Sequence, residues 1–443
     1  MNYYSTKRIS EPVGFKEAVL LGQPDDGGLF FPSEIPDLAE RLSGLDNNHD
    51  ARCAEELTVE ILKSYAVGSL DEEQVYEAVK DATDFPIPIK RLNENLYLLE
   101  LFHGPSQAFK DVGARFMSRC LSYFAKSVSQ KIAVITATSG DTGGAVAAGF
   151  DGADEVEVII LYPKGMVSSY QEEQIAARRK NVTALEVDGT FDDCQSLARS
   201  ALADQELRKR ALITSANSIN IARWLPQQIY YWLGYSQIQK HHKHVENNEL
   251  TFIVPSGNFG NIASGLLLNK SANLGIQFVA ACNLNSPVPE FLLKGEYKVK
   301  RVRPTLSNAM DVGNPSNFTR IMELYDGDIN KIKNNLTAEA VTDENISVTI
   351  KSCFEKSDYI PDPHTAVGVF IGEKLAERSK PVIVLATAHW RKFDCIKEIL
   401  QTDLNNEPDL FKAGFGRQED PDIVKTTIPA DYSKVKEIIN SKI

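Results

Sequence analysis

The chain has 443 residues, 43% of them hydrophobic and 24% charged, and its 48 Lys and Arg against 60 Asp and Glu leave a formal net charge of −12. That length carries two or three domains with sizeable cores, and the acidic balance disfavours nucleic acid or an anionic membrane surface as a partner for the whole molecule. An anionic ligand would need cations gathered locally. The first residues, "MNYYSTKRISEPVGFKEAV", lack the apolar core of a signal peptide, and no apolar run approaches the roughly 18 residues of a membrane span, so a cytoplasmic protein is expected. Six scattered cysteines, Cys53, Cys120, Cys194, Cys282, Cys353 and Cys395, form no closely spaced pair and read as reduced packing residues.

In chain order, residues 1–92 read as a mostly helical region. The stretches "FKEAVLLG", "CAEELTVEILKSYAVG" and "DEEQVYEAVKDAT" repeat apolar residues at three- and four-residue spacing. Residues 93–443 change pattern, to short apolar runs between amphipathic stretches. "KIAVITAT", "VEVIILYP", "VTALEV", "ALITSA", "TFIVPS", "QFVAAC" and "PVIVLATA" are nearly continuous and β-branched, as in strands buried on both faces. Between them "SYQEEQIAARRK", "DDCQSLARSALADQELRKR" and "NIARWLPQQIYYWLGYSQIQ" predict helices, the last kinked or started at Pro226. Alternation of this kind predicts an α/β protein with parallel sheets covered on both sides. Asp326 to Glu344 is polar and predicts a solvated helix and loop, and "HHKHVENN", His241 to Asn248, reads as a solvated loop rather than a metal site.

Three features carry chemistry. Lys110 stands in "ELFHGPSQAFKDVGARF", behind an apolar run, where a lysine is rarely buried unless paired or chemically engaged; the plainer reading is a surface lysine paired with Asp111. Two strand-to-helix turns, "AVITATSGDTGGAVAAGF" and "TFIVPSGNFGNIASGLLL", place Ser139, Gly140, Asp141, Thr142 and Gly143, and Ser256 to Asn261, where free N–H groups of a first helical turn accept an anion. Neither is a G-x-G-x-x-G dinucleotide fingerprint nor a G-K-[ST] phosphate loop. Either turn alone could be only a tight capped connection. Together with Lys110 at the carboxyl ends of parallel strands, they point to pyridoxal phosphate, whose aldehyde lysine holds as a Schiff base and whose phosphate a glycine loop cradles. Thr387, ending the run "PVIVLATAH", offers a hydroxyl to the pyridine nitrogen.

The motifs "YYST", "LFHGPSQAFKD", "ATSGDTGG", "LYPKG", "ALEVDGTFDDCQ", "TSANSINIARWLPQ", "PSGNFGN", "NAMDVGNPSNF" and "ATAH", in this order and over nearly the whole chain, resemble the threonine synthase family. The resemblance implies a two-lobed fold like that of the tryptophan synthase β subunit, with the cofactor in the cleft and the smaller lobe inserted at about 130–240. It implies Lys110 as the Schiff-base lysine, Gly257, Asn258, Phe259, Gly260 and Asn261 around the cofactor phosphate, and Thr387 at the ring nitrogen. Ser139, Gly140, Asp141 and Thr142 would face the substrate, O-phosphohomoserine, with Arg115 and Arg223 as candidates for its phosphate. Lys110 would then move the Cα proton, phosphate would leave Cγ and water would add at Cβ to give threonine. His103 would position groups near the lysine or serve as a hydrogen-bonding scaffold.

The sequence departs from the usual family pattern at Ser106, Gln107 and Thr365, and at Trp390 and Arg391, which are expected to be absorbed at the surface. A related phospho-lyase that releases phosphate without making threonine shares Lys110 and both turns, and a cofactor-binding relative without turnover is a further alternative. No metal is expected, and monomer and homodimer are both compatible with the sequence.

Overall fold

The computed structural model describes residues 1–43, 51–242, 249–377, 380–402 and 422–443, with side chains throughout except at residues 43 and 51–55. Cys53 and residues 243–248 of the histidine-rich stretch therefore lie outside the described residues or side chains. Every apolar run named above is a strand. A six-stranded sheet has the order Leu336–Ala340, Gln277–Cys282, Thr251–Pro255, Val382–Ala386, Leu96–Glu100, Ile89–Arg91. All its pairings are parallel except that of the edge strand Ile89–Arg91. A second, all-parallel sheet has five strands in the order Lys425–Pro429, Val182–Asp188, Val156–Pro163, Ile132–Ala137, Leu212–Ser215. Ile132–Ala137 and Val382–Ala386 are buried at every position, which is why these runs do not alternate: helices cover both faces.

Three differences from the sequence expectation stand out. Residues 1–92 hold helices Phe15–Leu21, Ala51–Ala66 and Glu72–Ala82, but also an antiparallel sheet of Val13–Gly14, Asn2–Ser5 and Phe30–Pro32. Strands of two to four residues are too short to show a period. The polar stretch from Asp326 contains, after helix Ile329–Asn335, the strand Leu336–Ala340 on the edge of the large sheet. Only Leu336 in it is buried, since an edge strand can leave Thr and Glu side chains in solvent while its backbone pairs. Pro226 sits in a 3₁₀ turn, Leu225–Gln227, between helices Ile221–Trp224 and Gln228–His241, because its ring cannot supply the N–H an uninterrupted α-helix would need.

The N-terminal residues are not a separate body. Tyr3, Phe15, Phe30 and Phe31 share one apolar core with Val112, Phe116, Phe124 and Trp224. The rings of Phe31 and Trp224 lie 5.8 Å apart and those of Phe15 and Phe124 6.3 Å. Cys120, Cys194, Cys282 and Cys353 are buried and Cys395 is half-buried; all five are free thiols, and burial pushes their ionisation up. Among the described residues no helix is long and apolar enough to cross a membrane, and no group of three or more His, Cys, Asp or Glu is arranged to hold a metal ion. His242 Nε2 lies 2.8 Å from the Tyr97 hydroxyl.

Candidate active site

Strands Leu96–Glu100 and Val382–Ala386 are parallel neighbours, and their continuations stay paired beyond the sheet. Leu101 N–H donates to Ala386 O at 2.9 Å, Phe109 N–H to Thr387 O at 2.8 Å and His389 N–H to Gln107 O at 3.0 Å. Gln107, with φ +56°, turns the chain so that Ala108 faces Ala388 in an antiparallel bridge. Lys110 is the next turn of chain, the first residue of helix Lys110–Ala125. Lys110 and Thr387, 277 positions apart in sequence, are thereby held by hydrogen bonds one residue away from each other.

The Lys110 side chain is 18% exposed, and its Nζ sits 4.6 Å from the Phe109 ring centre and 3.5 Å from Asp141 Oδ2. Burial holds its basicity below that of an ordinary lysine, opposed by Asp141 and assisted by Lys392 and Arg223. Asp111 is not its partner. That carboxylate is 1% exposed, accepts the Ser106 N–H at 2.9 Å on Oδ2, and has no partner on Oδ1.

Burial raises Asp111 from the ordinary carboxyl value of 3.8 to about 6. A carboxyl that binds its proton more tightly in the folded chain stabilises most below about pH 4 and loses that contribution as the pH rises through about 6. Asp111→Asn cannot titrate. Its unfolding free energy, measured in urea, is expected to fall by about 2–3 kcal/mol less than the parent's between acid and pH about 8; an identical fall in both proteins would sink this assignment.

The turn after strand Ile132–Ala137 is built over Thr138, whose hydroxyl oxygen accepts the N–H groups of Gly140 at 3.0 Å and Gly143 at 2.8 Å. Gly140 has φ +138°, and a Cβ there would stand 2.5 Å from Gln171 Oε1, so only glycine fits. Asp141 follows at the start of helix Asp141–Gly149, 6% exposed, its Oδ1 receiving Gln171 Nε2 at 3.0 Å and Lys392 Nζ at 2.9 Å. Burial alone would raise this carboxyl, but Lys392 and Lys110 overcome it and hold it well below the usual range. Ser139 and Thr142 are half-buried beside it.

The turn after strand Thr251–Pro255 leads through Phe259, left-handed at φ +61°, into helix Gly260–Ala272. Its first helical bond is Ala263 N–H to Phe259 O at 3.1 Å, which leaves the amides before it outside the helix ladder. A Cβ on Gly257 would stand 2.7 Å from Met310 Cα, so the backbone lies directly on the "NAMD" segment. Asn258 O accepts the Asn317 N–H at 3.2 Å. Asn261, 6% exposed, accepts the Tyr231 hydroxyl at 2.8 Å while its Nδ2 has no partner. A buried amide donor without a partner beside free first-turn N–H groups suits an anion.

Thr387 is 4% exposed and its N–H donates to Thr365 Oγ1 at 3.1 Å. Thr365 in turn donates to Asp362 Oδ2, and Asp362 Oδ1 holds His364 Nδ1 at 2.8 Å, so that His364 Nε2 accepts the Ala309 N–H at 3.1 Å beneath Gly257. One carboxylate, 1% exposed, thus braces both the Thr387 end and the Gly257 end of the site. The two arginines differ. Arg115 pairs with Asp81 at 3.3 Å and Asp84 at 2.9 Å, both from the N-terminal region. Arg223 is 4% exposed, donates to Ala216 O, and leaves its Nε unpartnered; burial lowers it to about 10. His103 Nε2 lies 2.8 Å from Glu100 Oε2, a scaffold contact.

Of the departures, Gln107 hydrogen-bonds the Tyr170 hydroxyl and Ser106 is fully buried. Trp390 is not at the surface: it is 7% exposed in the core beside Phe102, its ring 5.4 Å from that of His389, and Arg391 lies over its face. Burying the indole stabilises it by more than a solvated loop would. Lys392, Asp362 and Arg320 went unread in the sequence. A lysine after "WR" carries no periodicity, and nothing local says that its ammonium is buried.

Known proteins resemble this chain along its whole length. A family model described as "Pyridoxal-phosphate dependent enzyme" matches residues 82–387, and one described as "Threonine synthase N terminus" matches residues 2–83. Threonine synthase of Escherichia coli is 37% identical over 442 residues, 99% of each protein. Its crystal structure superposes with a TM-score of 0.87 at 35% identity over 100% of both chains. A threonine synthase from Brucella melitensis with pyridoxal phosphate bound gives 0.89 at 30% identity, covering 100% of this chain and 99% of that one.

Proposed function

The chain belongs to the threonine synthase family of pyridoxal-phosphate-dependent enzymes, and from that membership we propose that it converts O-phosphohomoserine and water into L-threonine and phosphate, the last step of threonine biosynthesis, with Lys110 as its cofactor lysine. The observation that carries the site assignment is a half-buried, basicity-lowered lysine that meets Asp141 of one glycine turn and lies next to the Thr387 strand end, which Thr365, Asp362 and His364 connect to the segment under Gly257 of the other turn. When bound, pyridoxal phosphate supplies an electron sink for carbanions next to the amino-acid nitrogen. The amides of Gly257 to Asn261 and the free Asn261 Nδ2 would hold its phosphate, and the Thr387 hydroxyl would meet its ring nitrogen.

Lys110 would accept and return protons at its Nζ, whose basicity burial lowers. Ser139, Gly140, Asp141 and Thr142 would face the substrate, the Ser139 and Thr142 hydroxyls offering donors to its amino-acid carboxylate. Arg223, with an unspent Nε donor, is well suited to the substrate phosphate; Arg115 is the second candidate and would first have to leave Asp81 and Asp84. The same reading assigns residues 1–92 as an N-terminal region and 93–443 as the two-lobed catalytic region, places the protein in the cytoplasm and takes it as a monomer or homodimer. The test is a product assay on the unmodified protein supplied with O-phosphohomoserine. Inorganic phosphate and threonine in equal amounts are expected; phosphate with 2-oxobutyrate and no threonine would assign the phospho-lyase instead.

A further inference from the structure

Lys392 has no task in the scheme above, yet it is the most completely buried cation beside Lys110, with none of its side chain exposed. It ends the 3₁₀ turn Trp390–Lys392, five residues past Thr387, and the turn is pinned from the other lobe by Ser168 Oγ donating to Lys392 O at 2.9 Å. Its ammonium reaches Asp141 Oδ1 at 2.9 Å and Ser106 O at 2.5 Å. Asp141 therefore faces two lysines, Lys392 at 2.9 Å and Lys110 at 3.5 Å, with Gln171 sharing the nearer oxygen.

A buried ammonium is strongly held by a carboxylate that has no other partner, and such a pair would keep Lys110 protonated and unreactive toward an aldehyde. Here the carboxylate's charge is already taken. We propose that Lys392 is a positioning residue that occupies Asp141 so that Lys110 is free to act as an amine. This rests on Lys110 being the cofactor lysine. The remaining charges around the pair are Arg223 from helix Ile221–Trp224, which faces Lys110, and His364, which faces Asp141; Asp111 on Lys110's own helix faces Lys392 and Arg115. None of these offers Lys110 a second carboxylate within the 3.5 Å at which Asp141 lies.

The full chain, stripped of cofactor, is mixed with pyridoxal 5'-phosphate across a range of pH, and the rate at which the absorbance of the lysine-bound cofactor grows is recorded. Borohydride reduction and peptide mass identify the lysine. In Lys392→Met the pH midpoint of that rate is expected to rise by at least about one unit, making capture about tenfold slower below it. Lys392→Arg keeps the charge and should stay near the parent. Asp141→Asn should lower the midpoint, and adding Lys392→Met to Asp141→Asn should move it much less than Lys392→Met moves the parent's, because the carboxylate through which Lys392 acts is gone. An unmoved midpoint in folded Lys392→Met overturns the proposal. Should that variant not fold, a double variant lying about one unit or more above Asp141→Asn overturns the proposal, since Lys392 would then act without Asp141. If the unmodified protein is labelled at a lysine other than Lys110, the site assignment itself falls, which is a separate outcome.

Discussion

Replacing Lys110 with alanine is expected to abolish the absorbance of the lysine-bound cofactor and to lower phosphate release from O-phosphohomoserine by at least about 10³-fold, since both the covalent anchor and the proton carrier are lost. The protein should still fold. Alanine begins a helix at no cost, and Asp141 keeps Lys392 and Gln171 as partners, so no carboxylate is stranded. Cofactor should still bind, more weakly, through the Gly257 to Asn261 turn, and dialysis should remove it. Lys110→Arg is the companion test: it keeps a positive charge near Asp141 but offers no neutral amine, and should be as inactive as alanine. If the absorbance persisted in Lys110→Ala, another lysine would be the anchor, and Lys392, on the same carboxylate, would be the first to examine.

The second large effect concerns stability. Arg320 is 1% exposed, and no carboxylate pairs with it among the described residues; its guanidinium instead donates to Phe30 O at 3.3 Å, Ser218 O at 3.2 Å, Ile219 O at 2.7 Å and Asn317 Oδ1 at 2.6 Å, over the face of Trp224 at 4.3 Å. Burial lowers it to about 9, still charged at neutral pH. One side chain thus ties the N-terminal sheet, the "SANSIN" loop and the "GNPSN" loop together. Arg320→Met retains an unbranched chain against Trp224 but takes a donor from the buried Phe30 carbonyl, the half-buried Ser218 and Ile219 carbonyls and the Asn317 amide oxygen. At about 1–3 kcal/mol for each unmet group, partly relieved by relaxation, the expected loss is about 3–5 kcal/mol in urea unfolding. Asn317 also lies against Gly260, where a Cβ would meet its Nδ2 at 3.2 Å, so cofactor affinity should fall as well. A loss under about 1 kcal/mol would show that the loops hold themselves.

The legibility of the chain followed the physics of each element. Strands buried on both faces declared themselves as continuous β-branched runs, and Gly140 and Gly257 marked turns that admit no side chain. Short strands such as Val13–Gly14 and the edge strand Leu336–Ala340 were not legible, because two residues have no period and an edge can be polar. The pairing of Arg115 with the N-terminal carboxylates Asp81 and Asp84 was not legible, and Trp390, read as superficial, fills the core. Both depend on what packs opposite, which no local pattern records.

By itself the sequence determined the parallel α/β class, the two glycine turns between strand and helix, and the family whose motifs the chain shares. Those are properties of residue type and near-neighbour spacing. Tertiary structure alone decided which charges meet: that Asp141 serves Lys392 as well as Lys110, that Asp111 serves the Ser106 amide, and that Asp362 braces both ends of the site. A charge's partner is fixed by where folding brings it and by the water it loses there, and both follow from contacts between residues up to hundreds of positions apart.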